Sequence, residues 1–234
     1  MLGIFWAFIW PLVNIFIYTV IFAKVMGAKL PGVSSTYSYG IYLVAGIVPW
    51  TAFVNTVSRS STVFVDKKNL ISKIRVSLPS FPLYIVMSES ITFTITLSLY
   101  IIFLIASGTS LSKTIILVPF IYIVQQIFAY SMGYCIAIFH VFIRDLKEIT
   151  AIVLQVWFWF TPIVYVYDIL PDFAKILVSY NPAFLFIKAY QDIFVHKEMP
   201  NFNHLIYLTL LGHIILICGY LAFKKLEKDV RDFL

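Results

Sequence analysis

Between His140 and Tyr165 the chain reads HVFIRDLKEITAIVLQVWFWFTPIVY. Arg144, Asp145, Lys147 and Glu148 crowd its beginning. From Ile149 to Tyr167 no ionisable side chain other than tyrosine follows. The charges are costly in hydrocarbon, and the apolar run after them belongs there. This stretch therefore marks a membrane boundary, then a span, then a helix that breaks at Thr161-Pro162 near the opposite leaflet.

The rest of the chain agrees. Of 234 residues, 61% are hydrophobic and only 12% charged. A soluble domain is about half apolar and a quarter charged, so the chain reads as an integral membrane protein. Long uncharged runs specify helices rather than the short alternating strands of a barrel. The net charge of +6 comes without a clustered basic surface, so no nucleic-acid partner is expected. Cys135 and Cys218 lie in apolar runs and read as packing residues. The start lacks the basic region of a secretory signal.

Six spans are expected, over residues 2–23, 37–65, 81–106, 114–139, 149–166 and 205–223. The fold class is thus all-α, integral to the membrane, in one transmembrane domain covering 1–234. Pro11, Pro49 and Pro162 fall within spans and are candidate kinks or hinges. The loop 66–78 contains a short amphipathic helix, 69–78, with Asn69 as its cap. Leu70, Ile71, Ile74 and Leu78 share one face, and Lys73 and Arg75 lie off it. Segment 167–203 is too polar to span, yet carries Pro171-Asp172 and Asn181-Pro182. Both pairs read as helix starts, giving two short helices that dip into the membrane or lie on it. The tail 224–234 continues an apolar stripe of Phe223, Leu226, Val230 and Phe233.

Ten of the seventeen Lys and Arg residues fall in the loop after span two, the loop after span four and the tail. That side belongs in the cytoplasm, with both termini. No GxxxxGK[ST] loop is present, so no ATP site is expected on this chain. His196, Glu198 and His204 share a loop but read as solvated residues rather than metal ligands.

Arg59 and Glu89 are the charged residues (Lys, Arg, Asp, Glu) inside spans. At 1.5 Å per residue they lie roughly 10 Å and 12 Å from the same membrane face. An ion pair is expected, either purely structural or as the polar lining of a path. The aromatics also have two readings. They form interfacial belts, or they line a route for sugar rings. The candidates for that lining are Phe5, Trp6, Phe8, Trp10, Tyr18, Phe22, Tyr37, Tyr39, Tyr42, Trp157, Phe158, Trp159, Phe160 and Tyr165.

The segments LGIFWAFIWPL, NLISKIRVSLPSFPL, FIRDLKEI, FWFTPIVY and YNPAFLFIKAYQDIF, in that order, closely resemble the ABC-2 type polysaccharide-export permeases. These export O-antigen, teichoic acid and capsular chains, and the O-antigen members look most similar. Family members carry an amphipathic helix ahead of the first motif, and this sequence does not include one. The resemblance implies a type V exporter-like homodimer in the bacterial inner membrane with two ATP-binding cassette subunits. ATP and Mg would sit on those partners, and the permease would catalyse nothing. It implies a polymer on an undecaprenyl pyrophosphate carrier, moving among membrane lipids. The helix 69–78, with Asn69, Leu70, Ser72, Lys73 and Arg75, would couple to the ATPase, and 167–203 would hold periplasmic gate helices. A drug or small-lipid exporter is the nearest rival reading. A gradient-driven transporter would need more carboxylates in its spans than Glu89 alone.

Overall fold

The computed structural model describes residues 9, 11–17, 38–71, 73 and 78–233. Among these the regular structure is helical. Residues 11–17 form α1. Then follow α2 (Ser38–Asp66), α3 (Lys68–Ile71), α4 (Phe81–Ala106), α5 (Val118–His140), α6 (Leu146–Trp159), α7 (Asp172–Ser179), α8 (Pro182–Gln191) and α9 (Phe202–Phe233). Four helical stretches are long and apolar enough to cross a membrane: Ser38–Asp66, Leu78–Ala106, Lys113–His140 and Phe202–Arg231. The expected first span lies outside the described residues except for residue 9 and α1.

The expected fifth span differs. It is expected over 149–166, but its helix starts at Leu146 and stops at Trp159. Fourteen residues rise about 21 Å, short of the roughly 30 Å hydrocarbon core. The cause is local. Pro162 has no N–H to continue the ladder, and its ring disfavours helical backbone at Thr161. The last span differs in the other direction. Helix α9 passes Phe223 without a break and takes in the expected tail. Lys, Glu and Leu are good helix formers, and neither Gly nor Pro interrupts them.

The two starts expected in 167–203 also separate. At α8, Asn181 is the cap: its side chain accepts from the Ala183 N–H at 3.0 Å, with Pro182 at the first helical position. At α7, Pro171 itself occupies the cap position and has no side-chain bond to give, while Asp172 sits in the first turn. Asn69, expected as a cap, lies inside α3, whose first turn closes on the Lys67 carbonyl.

The chain divides into two compact units, one of residues 1–51, 91–121 and 158–202, the other of 52–90, 122–157 and 203–234. The core of the first is built on α8. Ala183 to Ile187, together with Ala189, Tyr190 and Gln191, are all buried. Tyr190 meets Phe93 edge-on, and Phe194 meets Tyr100 likewise. So α8 does not lie on a surface. Helix α7 and its C-cap Tyr180 do expose an apolar stripe, with Phe173, Ile176 and Leu177 on the helix.

The second unit centres on Tyr134, buried among Phe64, Tyr130 and Phe223. Its apolar cluster gathers Val63, Leu78, Phe81, Ile85, Ile138 and Val230. Gly133 lets α5 approach α2 closely: a Cβ there would stand 2.5 Å from the Cβ of Ser60. Small residues at such crossings are how membrane helices gain packing without a hydrophobic drive.

Candidate functional site

In the second unit, α2 and α4 carry the charged pair. The Arg59 guanidinium donates through Nη1 to Glu89 Oε1. Asn55, one turn earlier on α2, donates to the other carboxylate oxygen at 3.3 Å. Both oxygens thus have a hydrogen-bond donor, as a buried carboxyl group requires. The two ends differ in exposure. The Glu89 side chain is 6% exposed and that of Arg59 46%. More polar bonds lie in the same unit: Thr56 donates to Gln126 at 2.9 Å, and Tyr122 to Ser90 at 3.2 Å. Equal depth in two neighbouring spans made the Arg59–Glu89 pair readable. Asn55 carried no such signal, because a lone amide in a helix is as often a surface residue.

In the first unit, the segment 160–166 leaves helical geometry, and other side chains take up its backbone carbonyls. The Tyr42 hydroxyl lies within bonding distance of the carbonyls of Pro162 and Tyr165, at 3.1 and 2.9 Å. Tyr39 donates to the Val164 carbonyl. Gln191 donates to the Pro162 carbonyl at 3.1 Å. Asn181 reaches the Phe160 carbonyl and the Thr161 hydroxyl, at 3.2 and 3.1 Å. The Tyr165 hydroxyl turns back to the Trp159 carbonyl at 3.0 Å. Backbone that leaves helical geometry inside a protein must find other partners for its carbonyls, and here side chains supply them.

The expected ring lining divides accordingly. Tyr42 is buried, and it holds backbone through its hydroxyl rather than offering a ring face. Trp159 and Phe160 are well exposed. Phe158 is half-buried and tilts against Trp50, while Trp157 meets Phe53 edge-on. Phe5, Trp6, Phe8, Trp10, Tyr18, Phe22 and Tyr37 lie outside the described residues. Of the three proline kinks, Pro11 and Pro49 are buried within helix, and Pro162 sits in the laced segment. Gly46, three residues before Pro49, makes room for Ile163: a Cβ would meet its Cγ2 at 3.1 Å.

Of the expected coupling residues, Asn69, Leu70 and Lys73 are exposed. Ser72 and Arg75 lie outside the described residues. Next to them, the Lys67 ammonium sits over the Tyr84 ring, 5.8 Å from its centre.

Residues 1–195 match the ABC-2 type transporter family. Three relatives are similar over nearly the whole chain, each called O-antigen export system permease protein RfbA. One from Klebsiella pneumoniae is 28% identical, covering 100% of this chain and 88% of its own length. One from Myxococcus xanthus is 25% identical, covering 99% and 87%. A second Klebsiella pneumoniae relative is 28% identical, again covering 99% and 87%.

Proposed function

Because this chain belongs to the ABC-2 type transporter family, we propose that it is the membrane subunit of an exporter of lipid-linked O-antigen polysaccharide. It works as a homodimer in the bacterial inner membrane, with both termini in the cytoplasm. Two ATP-binding cassette subunits bind and hydrolyse the nucleotide. The observation that carries this reading is the end-to-end similarity to permeases named for O-antigen export.

The physics of the cargo supports it. A hydroxyl moved into hydrocarbon without a partner costs about 4–8 kcal/mol, so a sugar chain needs a lined route. Its lipid anchor is stable in the bilayer, so the route needs a side opening. Helix α6 suits a boundary of that kind. Among its residues only Thr150 and Leu154 are buried, and Ile149, Ile152, Val153, Val156 and Trp159 are exposed in the single chain. A second copy and lipid are the surroundings that fit such a surface. The segment around Asn69, Leu70 and Lys73 is the contact for the ATPase.

The test is export. The gene is deleted from its host and restored, with or without a cassette partner whose ATP site is inactive. Surface polymer should vanish on deletion, return with the active pair and stay absent with the inactive one. Polymer export driven by a proton gradient alone would overturn the proposal.

A further inference from the structure

The aromatic rings are not the only lining that a sugar route needs, and α2 presents a different kind of surface. Between Asn55 and Asp66, a turn of 3.6 residues places Asn55, Ser58, Arg59, Thr62 and Asp66 within an arc of about 100°. No apolar residue of that stretch falls inside the arc. On the other sides, Phe53, Thr56, Val57, Ser60, Val63 and Phe64 are buried. Along the arc Arg59 and Asp66 are exposed, Asn55 and Ser58 are half-buried and Thr62 is buried, while Val65, just outside it, is also exposed. On α4 in the same unit the exposed residues are instead Leu83, Tyr84 and Met87. One helix thus shows hydrocarbon-compatible side chains, and the other shows hydroxyl, amide and guanidinium groups.

A polar arc on a membrane-crossing helix faces water or protein, not lipid tails. Its charge says which cargo it suits. Glu89 lies behind Arg59 and takes one of its donors. Thr62 donates to Asp66 at 2.6 Å. The Arg59 charge is therefore balanced by its neighbour, while the outer edge of its planar fork still offers N–H groups. That combination suits neutral hydroxyls better than phosphate, which would call for uncompensated cations.

We propose that the arc Asn55–Ser58–Arg59 is a wetted wall of the export path, and that it hydrogen-bonds the hydroxyls of the passing polymer. Arg59 is the main donor; Glu89 holds it in place and is itself bonded by Asn55. This rests on the reading of the chain as a polysaccharide exporter.

The test uses the full chain with its cassette partner in membrane vesicles. Single cysteines replace Asn55 or Ser58, and Met87 as the apolar control, with Cys218→Ala removing the exposed native thiol. A membrane-impermeant methanethiosulfonate is applied from the cytoplasmic side. Ser58→Cys and Asn55→Cys should react at least tenfold faster than Met87→Cys. Equal, slow reaction would mean the arc is closed in dry protein contact, and the proposal falls. Separately, Ser58→Leu and Asn55→Leu should lower surface polymer at least fivefold at unchanged permease level. Fast labelling with undiminished export would overturn the contact with polymer. If the unaltered pair exports no polymer at all, the exporter reading fails, and the labelling rates alone then report whether the arc is wet.

Discussion

The hydroxyl of Tyr42 stands 3.1 Å from the carbonyl oxygen of Pro162, 120 positions further along the chain. The same carbonyl accepts from Gln191, also at 3.1 Å. The single Tyr42 O–H is divided between this carbonyl and that of Tyr165, at 2.9 Å, so Gln191 still serves the Pro162 carbonyl when Tyr42 is lost, and Tyr42 can turn to it when Gln191 is lost. Tyr42→Phe alone should therefore lower stability by about 1 kcal/mol, and Gln191→Leu by a similar amount. Together they leave a buried carbonyl unsatisfied, and the loss should exceed the sum of the two. Thermal unfolding of the purified protein in detergent measures this. Strict additivity would mean that the two donors do not share an acceptor.

Arg59 and Glu89 are unequal partners. Arg59→Gln strands a carboxylate that is 6% exposed. Glu89→Gln strands a guanidinium that is 46% exposed. The first should be worse, by roughly 2 kcal/mol against 1, both below the 3–5 kcal/mol of a fully buried pair. The double neutral variant should recover part of the loss. If the two single variants are equal and their effects add, the pair contributes nothing by being a pair.

Asn181 does two things that substitution can separate. Its carbonyl oxygen caps α8, and its amide nitrogen holds Phe160 and Thr161. Asn181→Asp keeps the cap but loses the donor to the Phe160 carbonyl, whereas Asn181→Ala loses the cap and both ties. The alanine variant should be less stable by about 1–2 kcal/mol. The aspartate variant should fall between it and the parent. Protease cleavage within 160–166 should rise in both, because both release that segment. Cleavage unchanged in both variants would rule out the tie.

Gly133→Ala should destabilise by about 1–3 kcal/mol, since the new methyl has no room beside Ser60. Ser60→Gly in the same chain should restore part of that, because it removes the atom that clashes. Rescue read from the melting temperature distinguishes this local contact from a general intolerance to change in α5.

Much of this was readable from residue order, where the cause is local. Asn181-Pro182 is a start signal whose geometry is complete within three residues. Thr161-Pro162 marks a helix break in the sequence, and α6 stops just before it at Trp159, although the span is expected to run on to 166. Arg59 and Glu89 could be paired because helical rise converts position into depth. What could not be read depends on distant partners. The expectation that 182–191 lies on or dips into the membrane carried no sign that α8 is buried in protein, with Tyr190 against Phe93 of α4 and Gln191 beside Gly46 of α2. The apolar stripe of the tail includes Val230 but does not say what covers it: Val230 is fully buried in one cluster with Leu78 and Phe81. Asn69 carries the right side chain for a cap, but Lys67 supplies the carbonyl on which the turn closes.

The lacing of 160–166 bears on how a gate in this region would work. A proline flanked by free backbone swivels alone. Here each neighbour is tethered to a different support, Tyr39 and Tyr42 on one rod, Asn181 and Gln191 on another. Displacing the corner means either snapping several bonds at once or carrying their owners with it. The second route costs far less, so motion there would be that of a block, slow and all-or-none, rather than the flutter of a loop.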